Sequence, residues 1–133
     1  MRIAALLILA GIAYGQKDDD PEKTFGVYNG RWWRDAPRVM RYGYVMGYHD
    51  NPCLPNENSL AGVTYQEVVE ALDKLYSEPA NAPIPLPNAF TILNHKIKGA
   101  SKPEIEELLE HVREYVKKEL RKDAEKKKAS GDK

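Results

Sequence analysis

Side chains that could act as nucleophiles are few in this sequence. The single cysteine, Cys53, follows His49 and Asp50 at the end of a predicted helix. A cysteine and a histidine can form a thiolate nucleophile when the fold aligns them. Here Pro52 intervenes, and a histidine at a helix C-terminus is explained by its interaction with the helix dipole. The sequence also contains no glycine-rich phosphate loop and no nucleophile elbow.

Carboxylates are the next candidate catalytic groups, and four of them lie close together in a predicted helix: Glu104, Glu106, Glu107 and Glu110. A glycosidase needs two carboxyl groups that face each other across a cleft. A row along one amphipathic helix is instead typical of its solvated face. Glu107 lies one turn before His111, but a zinc site needs further ligands, and a single cysteine excludes multi-cysteine clusters. We therefore expect no catalytic residue, no metal and no cofactor, with a small hydrolase as a remaining alternative.

The candidate binding residues are aromatic side chains and arginines near the N-terminal end of the chain. Residues 25–48 hold seven of the twelve aromatic residues, and arginines lie among them at helical spacing. Tyrosine and tryptophan are enriched where proteins meet a partner. The candidate partner-binding residues are Trp32, Trp33, Arg34, Arg38, Arg41, Tyr44 and Tyr48. The alternatives are that the rings stack on a sugar, or that they form the core while the arginines pair with nearby carboxylates.

The composition limits the classes of partner. The chain has 133 residues, which is the length of one domain, and its 20 basic residues equal its 20 acidic residues. A net charge of zero gives no electrostatic reason to expect nucleic acid or an anionic membrane surface as a partner. With 42% hydrophobic residues, the chain can form a small core.

Four helices are predicted to position the candidate residues. The first begins with Asp35 as its cap and extends to about His49. It places Ala36, Met40, Gly43 and Gly47 on one face, and we expect Trp32 or Trp33 to fill the notch at the glycines. Because no segment alternates polar and apolar residues as a strand does, the sequence predicts an all-α bundle with an aromatic-rich N-terminal segment.

The other three helices are predicted from their ends. Thr64 with Glu67, and Ser101 with Glu104, have the spacing of capping boxes and begin the second and fourth helices. A third helix is predicted at about residues 88–98, with Gly99 at its C-terminal end. The proline-rich segment 79–87 is predicted to be a connector held by its two aliphatic residues, and a proline-rich ligand for another domain is the alternative.

The two ends of the chain differ in character from its middle. Residues 1–15 have an arginine, an apolar run of 11 residues and small residues at positions 13 and 15, which is the layout of a secretory signal. That run is too short to cross about 30 Å of hydrocarbon. We expect a cleaved signal peptide, a flexible leader at residues 16–24, a helical domain at 25–120 and a charged disordered tail at 121–133. The mature protein would be exported, to the periplasm or outside the cell, with no stable membrane anchor.

A resemblance adds to these expectations. The tryptophan pair, the segment 43–48, the helix start at residues 62–64 and the connector from Asn81 to Pro85 together resemble small exported bacterial proteins of unassigned function. More distantly, the order of the helices is similar to that of periplasmic immunity proteins of the Tai type, which neutralise toxins delivered by type VI secretion. That resemblance implies an all-helical fold and direct binding of a protein toxin. Immunity proteins of this type usually carry bridging cysteines, whereas this chain has Cys53 alone.

Two functions therefore remain open beside the hydrolase. One is a non-enzymatic exported protein that binds a protein partner, and the other is a module that binds a sugar or cell-wall fragment through aromatic stacking. A partner-binding protein should expose an apolar patch flanked by arginines. A ligand-binding module should instead form a concave aromatic pocket.

Overall fold

The computed structural model describes residues 20–50, 60 and 62–131. Its described part contains two short strands and five α-helices. The strands are β1 (Lys23–Thr24) and β2 (Val27–Tyr28), and the helices are α1 (Gly30–Asp35), α2 (Arg38–His49), α3 (Tyr65–Tyr76), α4 (Leu86–Ile97) and α5 (Lys102–Ser130). The predicted all-α class is confirmed, since four long helices form the bundle. The predicted signal segment, residues 16–19 and the predicted loop around Cys53 lie outside the described residues.

The two predicted capping boxes are confirmed. Thr64 accepts a hydrogen bond from the Glu67 amide at 3.2 Å, and the Glu67 carboxylate accepts one from the Thr64 amide at 2.7 Å. Ser101 and Glu104 repeat this arrangement at the start of α5. The hydrogen bond from the Thr64 amide lowers the pKa of Glu67 below its usual value. These pairs satisfy amide groups that have no partner within the first turn of a helix, and so they fix where each helix begins.

The structure corrects the predicted start of the first helix. The predicted helix is α2, which begins at Arg38 and has Pro37, not Asp35, at its cap position. It is preceded by a short helix that was not predicted, α1, in which the Asn29 side chain is the cap and accepts a hydrogen bond from the Arg31 amide at 2.9 Å. The helix then breaks at Ala36, whose backbone is extended. Because Ala36 precedes Pro37, the helical conformation is sterically disfavoured there. The aromatic-rich segment before the predicted helix is therefore partly helical, and a turn separates α1 from α2.

Part of the expected flexible leader is ordered in the structure. Lys23 and Thr24 pair with Tyr28 and Val27 in an antiparallel hairpin, whose turn residues have positive φ angles. Thr24 is buried and accepts a hydrogen bond from the Asn29 side chain at 3.0 Å. The same side chain caps α1, so one buried asparagine holds the hairpin against the first helix. This hydrogen bond to the buried Thr24 explains why residues 20–24 differ from the expectation.

The charged C-terminal segment also differs from the expectation of disorder, because α5 continues to Ser130. Its last buried residue is Val116, and Leu120 is 40% exposed. Beyond the core the helix is made of residues with high helix propensity. Ion pairs one turn apart support it, such as that of Lys122 with Glu119 at 2.7 Å.

The core lies where α1, α3 and α4 meet. Its largest fully buried side chains are Trp33, Tyr76 and Phe90. Gly30, at the start of α1, lies against the ring of Tyr76 so closely that a Cβ atom there would overlap it. The Tyr76 hydroxyl donates a hydrogen bond to the Ile84 carbonyl at 2.9 Å. Glycine at position 30 therefore lets α1 approach α3.

The proline-rich segment is a connector, as predicted. Ile84 and Leu86 are fully buried, and residues Pro79–Asn81 form a single 3-10 turn. α4 begins at Leu86, two residues earlier than predicted, with Pro87 in its first turn. Gly99 follows its end with a φ of 90°, which confirms the predicted C-terminal glycine. Within the described ranges, no helix is long and apolar enough to cross a membrane.

Candidate binding surface

The two tryptophans belong to the core and not to the surface. Trp33 has no exposed area and Trp32 is 8% exposed. The indole nitrogen of Trp33 donates a hydrogen bond to the Asp73 carboxylate of α3 at 2.8 Å. For Trp32 and Trp33, the alternative that the aromatic residues form the core is therefore the one observed. Neither ring is exposed enough to contact a partner.

Arg41 also has a structural role. Its guanidinium donates hydrogen bonds to the Ala36 carbonyl at 2.9 Å, the Arg34 carbonyl at 2.9 Å and the Asp73 carboxylate at 3.0 Å. It lies 5.9 Å from the centre of the Trp33 ring. Arg41 thus joins the turn between α1 and α2 to α3. For this arginine, the alternative that the arginines pair with nearby carboxylates is the one observed.

Tyr44 and Tyr48 are half-buried members of an aromatic row. The ring of Tyr48 stacks on Phe90 at 3.8 Å between centroids, and Tyr44 stacks on the same ring at 6.1 Å. Trp32 lies 5.4 Å from Tyr44 and stacks on Tyr28 at 4.5 Å. The row therefore attaches the inner face of α2 to α4. Sequence reasoning missed Phe90 as its centre, because no local pattern relates α4 to α2.

Burial keeps the hydroxyls of this row protonated. It raises the pKa of Tyr44 to about 12, with smaller contributions from the neighbouring Tyr48 and Tyr28. Burial raises the pKa of Tyr48 as well. These hydroxyls can therefore act as hydrogen-bond donors at neutral pH, but they are poor bases. The rings of Tyr44 and Tyr48 therefore contribute to the packing of α2 against α4.

The outer face of α2 is the unusual feature of the structure. Val39 is 77% exposed, Met40 51% and Met46 44%. Gly43 and Gly47 lie between them on the same face, and among the described residues nothing comes within 4 Å of where their Cβ atoms would be. We call these five residues the α2 surface: Val39, Met40, Gly43, Met46 and Gly47.

The α2 surface corrects the expected packing of this helix. The sequence predicted that Met40, Gly43 and Gly47 face inward and receive a tryptophan ring, but these residues face outward. The inward face consists of Tyr44 and Val45 with their neighbours one turn away. Both faces of α2 are apolar, so helical periodicity alone could not distinguish them.

Charged groups flank the α2 surface. Arg34 and Arg38 are exposed near the N-terminal end of α2, and Asp50 is exposed at its C-terminal end. Arg38 donates a hydrogen bond to the Tyr42 hydroxyl at 3.3 Å, and this bond raises the pKa of Arg38 above its usual value. Asp50 contacts His49 at 3.0 Å. Arg38 is also close to the carboxylates of Glu70 and Asp73, and Asp35 is exposed beside Arg34, so charges of both signs lie at the N-terminal end of α2.

The described residues contain no group of His, Cys, Asp and Glu side chains that could hold a metal ion. The glutamates of α5 lie on its solvated face, and Glu104 is used in the capping box. A groove between the hairpin and α5 is lined by Phe25, Leu120 and lysines, and it contains no member of the aromatic row. The aromatic side chains among the candidate residues pack against one another and against Phe90.

No known protein family, no curated protein and no solved structure matches this chain.

Proposed function

We propose that this chain is an exported, non-catalytic helical protein that acts by binding a protein partner through the α2 surface. The observation that carries the proposal is the exposure of Val39, Met40 and Met46 on one helix face, around two glycines whose outer side is open. Contiguous exposed apolar patches on small proteins are commonly interaction sites.

The size of the patch is sufficient for a modest interaction. The three exposed side chains present on the order of 300 Å² of apolar area, and burying it would contribute about 7 kcal/mol before the costs of association. The glycines allow the backbone of a partner to approach α2 closely, which increases the contact area. The flexible methionine side chains can adapt to the partner's shape.

Arg34 and Arg38 favour a partner with acidic groups beside its apolar contact residues. Charges at the rim of an interface mainly increase the rate of association and select against partners of like charge. Export is supported by the signal-like layout of residues 1–15. The resemblance to Tai-type immunity proteins is consistent with direct binding of another protein in that compartment.

Export can be tested separately from binding. The full chain would be expressed with its own N-terminus, and the cell fractions would be examined by mass spectrometry. We expect the protein in the exported fraction with a mass that corresponds to cleavage after Gly15. An uncleaved protein confined to the cytoplasm would contradict the proposed location.

Binding is tested with three tagged forms of the chain: wild type, Val39→Asp and Ile97→Asp. Ile97 is a matched control because it is an aliphatic residue that is 40% exposed on a different helix, at the end of α4. A partner captured by the wild type and by the control would then be purified and titrated calorimetrically. We expect Val39→Asp to weaken its binding at least 10-fold, which is about 1.4 kcal/mol. Equal binding by all three forms, or no partner for any of them, would contradict the proposal.

A further inference from the structure

The charges of this chain sum to zero but are unevenly distributed. Residues 20–116 contain 10 basic and 14 acidic residues, a net charge of −4, whereas residues 117–131 contain seven basic and three acidic residues, a net charge of +4. Residues 117–130 continue α5 beyond its last buried residue, Val116, for about 21 Å at 1.5 Å per residue. The C-terminal end of the described structure is therefore positive, and the remainder is negative.

One side of this helical extension faces the hairpin. Thr24 and Phe25 of the hairpin lie across a groove from Leu120, Asp123 and Ala124 of α5. These three α5 residues lie within about 100° of one another around the helix axis. They identify the inner side of the extension, and the opposite side is open to solvent.

The solvent side of the extension is basic. At 100° per residue, five of its seven basic residues fall within an arc of about 140° away from the groove, and all five are exposed. Glu125 is the one acidic residue of the extension within that arc. We call the five residues the basic face: Lys117, Lys118, Arg121, Lys122 and Lys128.

Ion pairs within α5 neutralise only part of the basic face. Two of its lysines pair with glutamates of the same helix, Lys117 at 3.8 Å and Lys122 at 2.7 Å. Exposed pairs of this kind are weak. In the described part of the chain, Lys118, Arg121 and Lys128 form no ion pair. The face therefore presents positive charge to solvent along most of the extension.

We propose that the basic face binds the surface of an anionic phospholipid membrane, reversibly and without insertion. The face is convex and contains no aromatic or large aliphatic residue. Protein interfaces depend on such residues as anchors, and single-stranded nucleic acid is held by aromatic stacking. A layer of anionic headgroups requires neither, and each basic residue near it strengthens binding about five-fold.

The uneven charge also orients the protein at such a surface. An anionic surface attracts the basic face and repels residues 20–116, so the C-terminal end of α5 points towards the lipid. This inference goes beyond the proposed function by assigning a second surface with its own ligand. The choice of lipid over duplex nucleic acid rests on the proposed export, because duplex phosphates attract lysines as well.

Cosedimentation of the full chain with vesicles tests the proposal. The vesicles consist of phosphatidylcholine alone or with about 40% phosphatidylglycerol, in about 50 mM or about 500 mM salt. We expect binding to the anionic vesicles at low salt. Binding to the neutral vesicles, and binding at high salt, should each be at least 10-fold weaker, because both conditions remove the attraction between opposite charges.

Two double variants locate the effect on the basic face. Lys118→Glu with Arg121→Glu should weaken binding to anionic vesicles at least 10-fold. Lys74→Glu with Lys96→Glu is the matched control, because it changes the net charge equally at exposed residues of α3 and α4, and it should weaken binding less than about three-fold. Circular dichroism establishes that each variant retains its helices. Lys118→Gln with Arg121→Gln, which should weaken binding several-fold, replaces the first variant if that one fails to fold.

Equal binding to neutral and anionic vesicles, or equal losses in the two double variants, would overturn the proposal. A chain that bound duplex DNA but not anionic vesicles would overturn the choice of lipid. Val39→Asp, on the α2 surface, should bind vesicles as the wild type does. Loss of vesicle binding with retained capture of a protein partner would thus refute this inference alone, and vesicle binding without any captured protein would refute the proposed partner binding alone.

Discussion

Removal of the Asp73 carboxylate should destabilise the protein by about 2–3 kcal/mol. Asp73 accepts the hydrogen bond of the Trp33 indole at 2.8 Å and that of Arg41 at 3.0 Å. Because Trp33 is fully buried, Asp73→Ala leaves its N–H group without a partner, which costs about 1–3 kcal/mol. The loss of the Arg41 contact adds only about 0–1 kcal/mol, because the Asp73 side chain is 43% exposed and Arg41 keeps its two carbonyl partners.

Urea unfolding monitored by circular dichroism at pH 7 gives the free energy of unfolding of each variant. Asp73→Asn should cost about 1 kcal/mol or less, because the amide oxygen still accepts the indole hydrogen bond. Glu107→Ala, which removes an exposed carboxylate from α5, should change stability by less than about 0.5 kcal/mol.

A double-mutant cycle isolates the indole hydrogen bond. In a Trp33→Phe background the N–H group is absent, so Asp73→Ala should cost only about 0–1 kcal/mol. The difference between the two backgrounds is then about 1–3 kcal/mol. If Asp73→Ala cost the same in both backgrounds, the assignment of Trp33 to a buried bond with Asp73 would be refuted.

Three further predictions concern glycines, titration and capping. Gly30→Ala should destabilise the protein by more than about 2 kcal/mol, because the added Cβ overlaps the buried ring of Tyr76. Gly43→Ala should stabilise it by about 0.5–1 kcal/mol, because alanine has the higher helix propensity and the space there is open. Urea unfolding of both variants should give changes of opposite sign. Burial raises the pKa of Tyr44 to about 12 from 10, so the stability from its neutral form is complete below pH 10 and is lost as the pH rises to 12. The fall is about 2–3 kcal/mol, and alkaline unfolding curves should show it reduced in Tyr44→Phe. Thr64→Ala should cost about 1 kcal/mol in thermal unfolding, because it removes a helix cap, and an unchanged midpoint would contradict that role.

The elements that local chemistry determines could be predicted from the sequence. The capping boxes at Thr64 and Ser101 and the glycine after α4 depend on residues within one or two turns of each other, and all three are confirmed. The start of α2 also had a local signal in Pro37, because the residue before a proline is disfavoured in a helix, but the prediction placed the cap two residues too early, at Asp35.

The orientation of α2 could not be predicted, because it depends on contacts between distant parts of the chain. Phe90 receives the rings of Tyr44 and Tyr48 from 42 and more residues away in the sequence. Asp73 likewise receives Trp33 from 40 residues away. Such contacts decide which of two apolar faces of α2 is buried, and helical periodicity contains no information about them. The outward position of Gly43 therefore became visible only in the folded structure.

Site-specific photo-crosslinking in the producing cell tests most directly whether the α2 surface binds protein. A photoreactive amino acid would replace Val39 in one variant and Glu107, on the solvated face of α5, in the other. We predict a discrete crosslinked protein species from position 39, either a second copy or another protein, and none from position 107. No adduct at position 39, or the same adducts at both positions, would contradict a binding role for the α2 surface.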